Sequence, residues 1–474
     1  MNRRQLLKVG LGGGAVLGGT LYAADRLRRG QPDPGTVGTP TPDDETPTPP
    51  TIEAPQVRHA DEYGTVVDVV AAGADPEGRE PVNEVVRAHA GDDTLLSFRG
   101  GTFQLLPIRL DGYDRLGIAA AGEERPTFVP APGHCNGKPY VRFERVRNLL
   151  LERVEFDFQR ADSGGEIRIS AEGDATIRDV RAAGSCEDQV ALFRVDVVAE
   201  GARGLVEDFR ASNRGNDRSL TSVFVGEPHA GELVFRNCEL RGFSDNGLYA
   251  SSPGQEDGRN GVVHVEGGTY ENNNIANVRL GSTGSTARGV RVVADAPPQA
   301  DAVNVRGVRL RERGDQVVED CDIYIGREAG PSFGGVVFHP ANTGAVVRNT
   351  HITIDQDYVP ALWAFPRSEG ATEQRYENLT ISGNAAGGFA ALTEGRAGTV
   401  FRNCTIEGTG TDRGGLRFAY SPDCRIVDCT IDVPGDPIVL RQSTAEVRNT
   451  TIRTPDGETH IDEMTAEDED FTPR

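Results

Sequence analysis

Phe401-Arg402-Asn403-Cys404-Thr405-Ile406 and Ile426-Val427-Asp428-Cys429-Thr430-Ile431 are one phrase written twice: an apolar residue, any residue, Asn or Asp, a small residue, any residue, then Ile or Leu. The phrase also occurs as Phe235-Arg236-Asn237-Cys238-Glu239-Leu240, Val318-Glu319-Asp320-Cys321-Asp322-Ile323, Val347-Arg348-Asn349-Thr350-His351-Ile352 and Val447-Arg448-Asn449-Thr450-Thr451-Ile452, with a near copy at Tyr376-Glu377-Asn378-Leu379-Thr380-Ile381. From Asn349 the Asn/Asp positions are 29, 25, 25 and 21 residues apart, and Asp179, Asp208 and Asn237 are separated by 29 each. A period in this range marks stacked repeats, so the 474 residues are better read as one long core than as several globular domains.

Around the last copies the repeat resolves into a coil. Leu416-Arg417-Phe418-Ala419 reads as one strand, Ser421-Pro422-Asp423 as a turn, Arg425-Ile426-Val427 as a second strand, Asp428 as a bend and Cys429-Thr430-Ile431 as a third. Three short strands per turn, each alternating inward and outward, predict an all-β, single-stranded parallel β-helix of about a dozen coils and not a helical repeat, whose 3.6-residue periodicity is missing. An Asn side chain at a sharp bend bonds backbone left unpaired there and the amide one coil away. Asp accepts but does not donate, so the ladder should be interrupted where Asp replaces Asn.

The start of the core adds a cap. Thr65-Val66-Val67-Asp68-Val69-Val70, Gly73-Ala74-Asp75, a predicted helix over 81–89 beginning at Pro81, Thr94-Leu95-Leu96-Ser97-Phe98 and Gly100-Gly101-Thr102-Phe103 suit an opening strand, an apolar plug and an entry into the first coils. Over residues 62–454 this pattern resembles the superfamily of right-handed β-helices that includes pectate lyases, polygalacturonases and other uronate-polymer enzymes. The resemblance implies a right-handed coil and a polysaccharide groove along the outward face of one strand set. It also implies that calcium can bridge carboxylates and an anionic sugar, for which Asp217, Asp245 and Glu256 offer oxygen ligands. No EF-hand spacing accompanies them, and no metal or other cofactor is assigned.

Four segments follow: 1–30, 31–60, 61–455 and 456–474. The first carries a basic head, Asn2-Arg3-Arg4-Gln5-Leu6-Leu7-Lys8, and a short Gly/Ala/Leu-rich run over 9–24. It resembles a twin-arginine export signal, predicting an extracellular or cell-surface protein whose membrane contact is confined to this segment. Residues 31–59 hold eight Pro and six Thr and predict an extended linker; the end of the chain is acidic and aperiodic. With 72 acids against 50 bases, only Lys8 and Lys138 being lysine, the net charge of -22 resembles the acidic surface of proteins from salt-loving archaea and opposes nucleic-acid binding. A monomer is expected. Of seven cysteines, Cys238, Cys321, Cys404 and Cys429 follow the repeated Asn/Asp and predict one buried column of thiols; Cys404 and Cys429 lie in adjacent coils, where stacking of strands about 5 Å apart would allow a disulfide. Walker A, HExxH and G-x-S-x-G patterns are missing, as is zinc-ligand spacing.

Alternation along the first strand of each coil predicts an outward column of Tyr249, Asn277 with Arg279, Asn304 with Arg306, His339, Trp363 with Phe365, and Arg417, with Leu248, Val278, Val305, Phe338, Leu362 and Leu416 facing inward. Aromatic rings stack on sugars, Arg grips uronate or sulfate, and Asn bonds hydroxyls, so Asn273, Asn277, Asn304, Arg306, Trp363, Phe365 and Arg417 are read as substrate-binding. For β-elimination from a uronate polymer, Arg279 would neutralise the carboxylate, His339 would carry a proton near neutral pH, and Tyr249 would be the partner acid. For hydrolysis, Asp245 and Asp217 form a candidate acid pair on the rim. The same face also suits a non-catalytic β-helix that binds glycans or supports the cell envelope.

Overall fold

In a computed structural model, described here for residues 57–133, 139–159, 165–184, 190–213, 219–367, 373–455 and 461–464, the chain winds through three parallel sheets of 15, 15 and 14 strands. After the first coil, which supplies strands to two sheets only, successive strands of each sheet are three strands apart in sequence, so the coils visit all three sheets in turn. This is an all-β parallel solenoid of more coils than the dozen expected. The last coils fall where the repeat places them, at Gly414–Ala419, Cys424–Val427, Thr430–Asp432 and Ile438–Arg441. Residues 1–56, which hold the segment expected to direct export and nearly all of the expected linker, and most of the acidic end lie outside the described residues, as do Cys135, Cys186 and Asp217. Among the described residues no helix is long and apolar enough to cross a membrane.

The bend residues explain why the phrase contains Asn or Asp. Asp179, Asp208, Asn237, Asp320, Asn349, Asn378, Asn403, Asp428 and Asn449 all sit at φ between 48 and 56°, the left-handed region that short polar side chains tolerate best after Gly. Asn378 Nδ2 donates to Asn349 Oδ1 and Asn403 Nδ2 to Asn378 Oδ1, both at 2.8 Å, and Asn449 Nδ2 donates to Asp428 Oδ1 at 3.2 Å. No bond joins Asp428 to Asn403 in this series, where the donor is missing. Behind the bend, Cys238, Cys321, Cys404 and Cys429 are buried free thiols bonded to backbone carbonyls.

At the N-terminal end Val82 and Val86 plug the stack. The helix spans Asn83–His89; Pro81 closes the strand Glu77–Pro81 instead of opening the helix as expected. The reason is visible in the buried Asn83, whose amide exchanges two 2.8 Å bonds with the backbone of Leu106 and so ties the first helical turn to the coil below.

The phrase position read as "any residue" proves to be constrained. Glu152, Arg178, Glu207, Arg236, Glu266, Arg288, Glu319, Arg348, Glu377 and Arg402 are successive cross-strand neighbours down one sheet, alternating in sign without exception. Opposite charges directly across a ladder attract and like charges repel, so alternation neutralises the column. Arg178 reaches Glu207 at 2.8 Å, Arg236 reaches Glu266 at 2.9 Å, and buried Glu319 is held by both Arg288 and Arg348.

Candidate functional site

The third sheet carries the predicted groove face, and its register differs from the one read by alternation. Tyr249, Arg279, Arg309, Val337, Trp363, Leu392 and Arg417 are consecutive neighbours. Val278 pairs with Val308, not with Val305, because the strand Val305–Leu310 is longer than its neighbour and shifts register against Ser332–Phe338 between Val305 and Arg306. Aligning Asn304 and Arg306 with Asn277 and Arg279 therefore slipped by three residues and concealed Arg309. The signal that would have found it is the repeated Val-Arg-Leu of 278–280 and 308–310.

Two predicted binding residues are corrected. Asn273 and Asn277 are fully buried and face no groove. Asn273 Nδ2 donates to Leu240 O at 2.9 Å and to Asn277 Oδ1 at 3.0 Å, and Asn277 Nδ2 donates to Arg306 O at 3.2 Å. Their amides complete the turns between coils, which leaves no capacity for a sugar.

Four arginines gather where the sheet's middle coils meet. Arg279, expected to be exposed, is 5% exposed: its plane lies 3.7 Å from the Tyr249 ring centre, and it donates to Tyr249 Oη at 2.8 Å and Ser251 Oγ at 2.7 Å. The loop that begins at Ser251 thus covers it, a contact that strand alternation does not encode. Arg306, 4% exposed, stacks on Phe333 at 4.1 Å and donates to Ile275 O and to Asn304 Oδ1, which fixes half-buried Asn304 as an arginine partner. Arg311 pairs with Glu312 at 2.8 Å. Half-buried Arg309 makes no hydrogen bond or ion pair with any described residue. Burial first, then Arg306, Arg279 and Arg311, press its pKa down to about 7. A guanidinium holds its proton under such pressure, so the same repulsion is better understood as a standing demand for an anion.

His339 lies two residues beyond Val337 in the chain, on the adjacent outward row. Burial and the four arginines push its pKa down to about 3, and its Nδ1 accepts a 3.2 Å bond from the Ala341 amide. It is neutral at pH 7 with its proton on Nε2, so the expected proton carrier near neutral pH is corrected to a neutral N–H donor.

Beyond His339 the face becomes aromatic. Trp363 and Phe365 stack at 4.5 Å, and Phe333, not singled out from sequence, packs on both. Glu394, likewise missed, stands at the end of the next strand, beyond Phe365; Arg417 follows on the strand after and lies 5.8 Å from the Phe389 ring. Burial raises the Glu394 carboxyl above its ordinary value, more than Arg417 and the indole of Trp363 lower it. Beneath these rings the fully buried Arg396 donates to Phe365 O at 2.8 Å, Asn342 O at 2.6 Å and His339 O at 3.0 Å, clamping the backbone of both outward rows.

At the other end, Asp245 accepts from Ser219 Oγ at 2.8 Å and from the Asn246 amide. Glu256 is exposed, and no three His, Cys, Asp or Glu side chains converge among the described residues. Among the described residues these donors do not assemble a calcium site.

No family model and no curated protein matches the chain. Solved structures with a similar trace include the Agl-KA catalytic domain (TM-score 0.43, 16% identity, 87% of this chain and 69% of that one). Others are the surface adhesin PfbA of Streptococcus pneumoniae (0.42, 12%, 84% and 93%) and the A-module of the Azotobacter vinelandii mannuronan C-5 epimerase AlgE6 (0.38, 16%, 82% and 99%).

Proposed function

We propose that the third-sheet face between Tyr249 and Arg417 is the groove of an extracytoplasmic carbohydrate-active protein that takes an acidic polysaccharide. The observation that carries this reading is Arg309, a half-buried guanidinium without a described partner, set in register beside Arg279 and surrounded by two further arginines. Two unit charges about 5 Å apart repel by about 3 kcal/mol at an effective dielectric constant of 20. A carboxylate or sulfate placed among them relieves several such terms together, and the guanidinium fork fits either group bidentately. Arg279 and Arg306 line this anion subsite, Asn304 holds Arg306, and Tyr249 presents a hydroxyl beside Arg279. Trp363 and Phe365 offer an apolar edge to a sugar ring farther along, and Arg417 borders the far end.

The test is equilibrium binding of a uronate polymer, a sulfated polymer and a neutral glucan to the full chain at several salt concentrations. Preference for the charged polymers, falling with salt, and at least ~10-fold weaker binding by Arg309→Ala support the reading. Equal affinity for the neutral glucan, or an unchanged Arg309→Ala, would overturn it. A non-catalytic glycan-binding role is the second reading: burial and the surrounding arginines hold His339 well below its ordinary pKa, which weakens it as a proton carrier near neutral pH. Charged-polymer binding without new reducing ends or unsaturated ends selects that role.

A further inference from the structure

The anion subsite lacks a group that titrates in a useful range, but the aromatic end of the same face has one. Glu394 is half-buried, ends the strand Phe389–Glu394 and follows Thr393, which pairs with Ala364 next to both Trp363 and Phe365. The indole N–H of Trp363 faces it closely enough to favour the carboxylate, and among the described residues Glu394 makes no ion pair within 4.0 Å. The charged group facing it is Arg417 on the following strand, itself beside Arg441; Arg396, two residues on, turns inward to carbonyls. A carboxyl on an apolar platform, open to the groove and not tied into an ion pair, has the setting of a proton donor to a leaving oxygen.

Resting on the polysaccharide reading above, we infer that Glu394 is the general acid of a glycoside hydrolase whose cleavage subsite is the Trp363–Phe365 platform, separate from the arginine subsite. Glu394 gives its proton to the glycosidic oxygen as the bond from that oxygen to the anomeric carbon breaks. Water adds to that carbon and releases a proton to solvent, and Glu394 regains one. The sum is one glycoside plus one water giving two hydroxyl-ended chains, with no oxidation or reduction.

The spacing separates this from elimination. Arg309 and Leu392 are three coils apart, about 14 Å at the usual strand spacing. In β-elimination the neutralised carboxylate and the departing oxygen belong to the same sugar, so one group cannot serve both from that distance. The anion bound at Arg309 is therefore about two or three sugar units from the bond that breaks, and the preferred substrate carries its charge there, with an uncharged ring accepted on the platform.

Burial holds the Glu394 carboxyl above its ordinary value, so it stays protonated to higher pH than an exposed carboxyl and activity falls as pH rises through its own value. The experiment follows new reducing ends and unsaturated-end absorbance from charged and neutral polymers, with pH profiles, for wild type, Glu394→Gln, Glu394→Asp and Arg309→Ala. Expected are reducing ends without unsaturation, a loss of at least ~10²-fold in kcat for Glu394→Gln with polymer binding and thermal midpoint retained, disappearance of the alkaline limb in that variant, and partial recovery in Glu394→Asp. Unsaturated products, no cleavage of any polymer, or an unchanged pH profile in Glu394→Gln would overturn the assignment. If Arg309→Ala loses charged-polymer binding while Glu394→Gln cleaves normally, this inference alone fails. If a neutral glucan is cleaved in a Glu394-dependent way and Arg309→Ala has no effect, the anion subsite fails and Glu394 stands.

Discussion

Two columns of arginine run along this solenoid and are settled in opposite ways. On one sheet Arg178, Arg236, Arg288, Arg348 and Arg402 alternate with glutamates, so that every cation has a carboxylate neighbour above or below. On another, the first four members, Arg109, Arg142, Arg168 and Arg194, meet acids two residues away: Arg109 with Asp111, Arg168 with Glu166 and Arg194 with Asp196, at 2.6 to 2.8 Å. Higher in that same column the acids disappear. Arg279 rests on Tyr249 and Arg309 on nothing described, while Arg306, three residues before Arg309 and outside the column, rests on Phe333. The protein can neutralise a stacked arginine in either way, so Arg279, Arg306 and Arg309, which have no carboxylate partner among the described residues while Arg311 keeps Glu312, are where we propose that the missing charge comes from outside. In a chain with a net charge of -22 that local reversal is the stronger contrast.

The comparison can be pressed hardest at Arg396, a third solution in which a buried guanidinium is satisfied by carbonyls. Arg396→Met should leave the carbonyls of Phe365 and Asn342 without this donor, and His339 O with the Asn342 amide alone, and cost about 3 kcal/mol, read as a lower denaturant midpoint at unchanged slope. A loss below about 1 kcal/mol would mean that the clamp does not hold the two outward rows.

Glu319 tests the alternating ladder. Burial raises its carboxyl, but the bonds from Arg348 and Arg288 outweigh burial and hold it below its ordinary 4.5. With the folded value below the unfolded one, its contribution is complete above the ordinary carboxylate range and is lost as pH falls through the depressed value. Glu319→Gln should cost about 2 kcal/mol at pH 7, and the gap from wild type should close on acidification below 4.5. A gap that widens in acid would reverse the sign of the argument.

The smallest effect should carry the opposite sign. Arg309→Ala removes a cation from among cations, so stability should be unchanged or rise by up to about 1 kcal/mol, with the difference shrinking as salt screens the wild-type repulsion. If it destabilises as Glu319→Gln does, the arginines of the groove are structural and the contrast collapses.

Much of this architecture was legible because a solenoid repeats its constraints. Asn or Asp recurs where φ must be positive, a small residue recurs behind it, and Ile or Leu recurs at the inward position, so Asn403 and Asp428 locate their bends without knowledge of any other coil. The charge alternation of 178, 207, 236 and 266 was present in the same phrase but is meaningful only once those positions are known to stack. At the site the local pattern ran out. A strand of six residues beside one of three, with a register shift at Val305, decided that Arg309 and not Arg306 neighbours Arg279. Burial of Arg279 by Ser251, consumption of Asn273 and Asn277 in turns, and the placing of Glu394 against Trp363 and Phe365 each depend on residues about 30 positions apart or on a loop outside the period. Sequence alone determined the coil, because bend, column and alternation are short-range requirements repeated many times. Tertiary structure decided which charges are answered within the chain, because electrostatic partnership depends on spatial distance across coils, and one slipped register changes every partner.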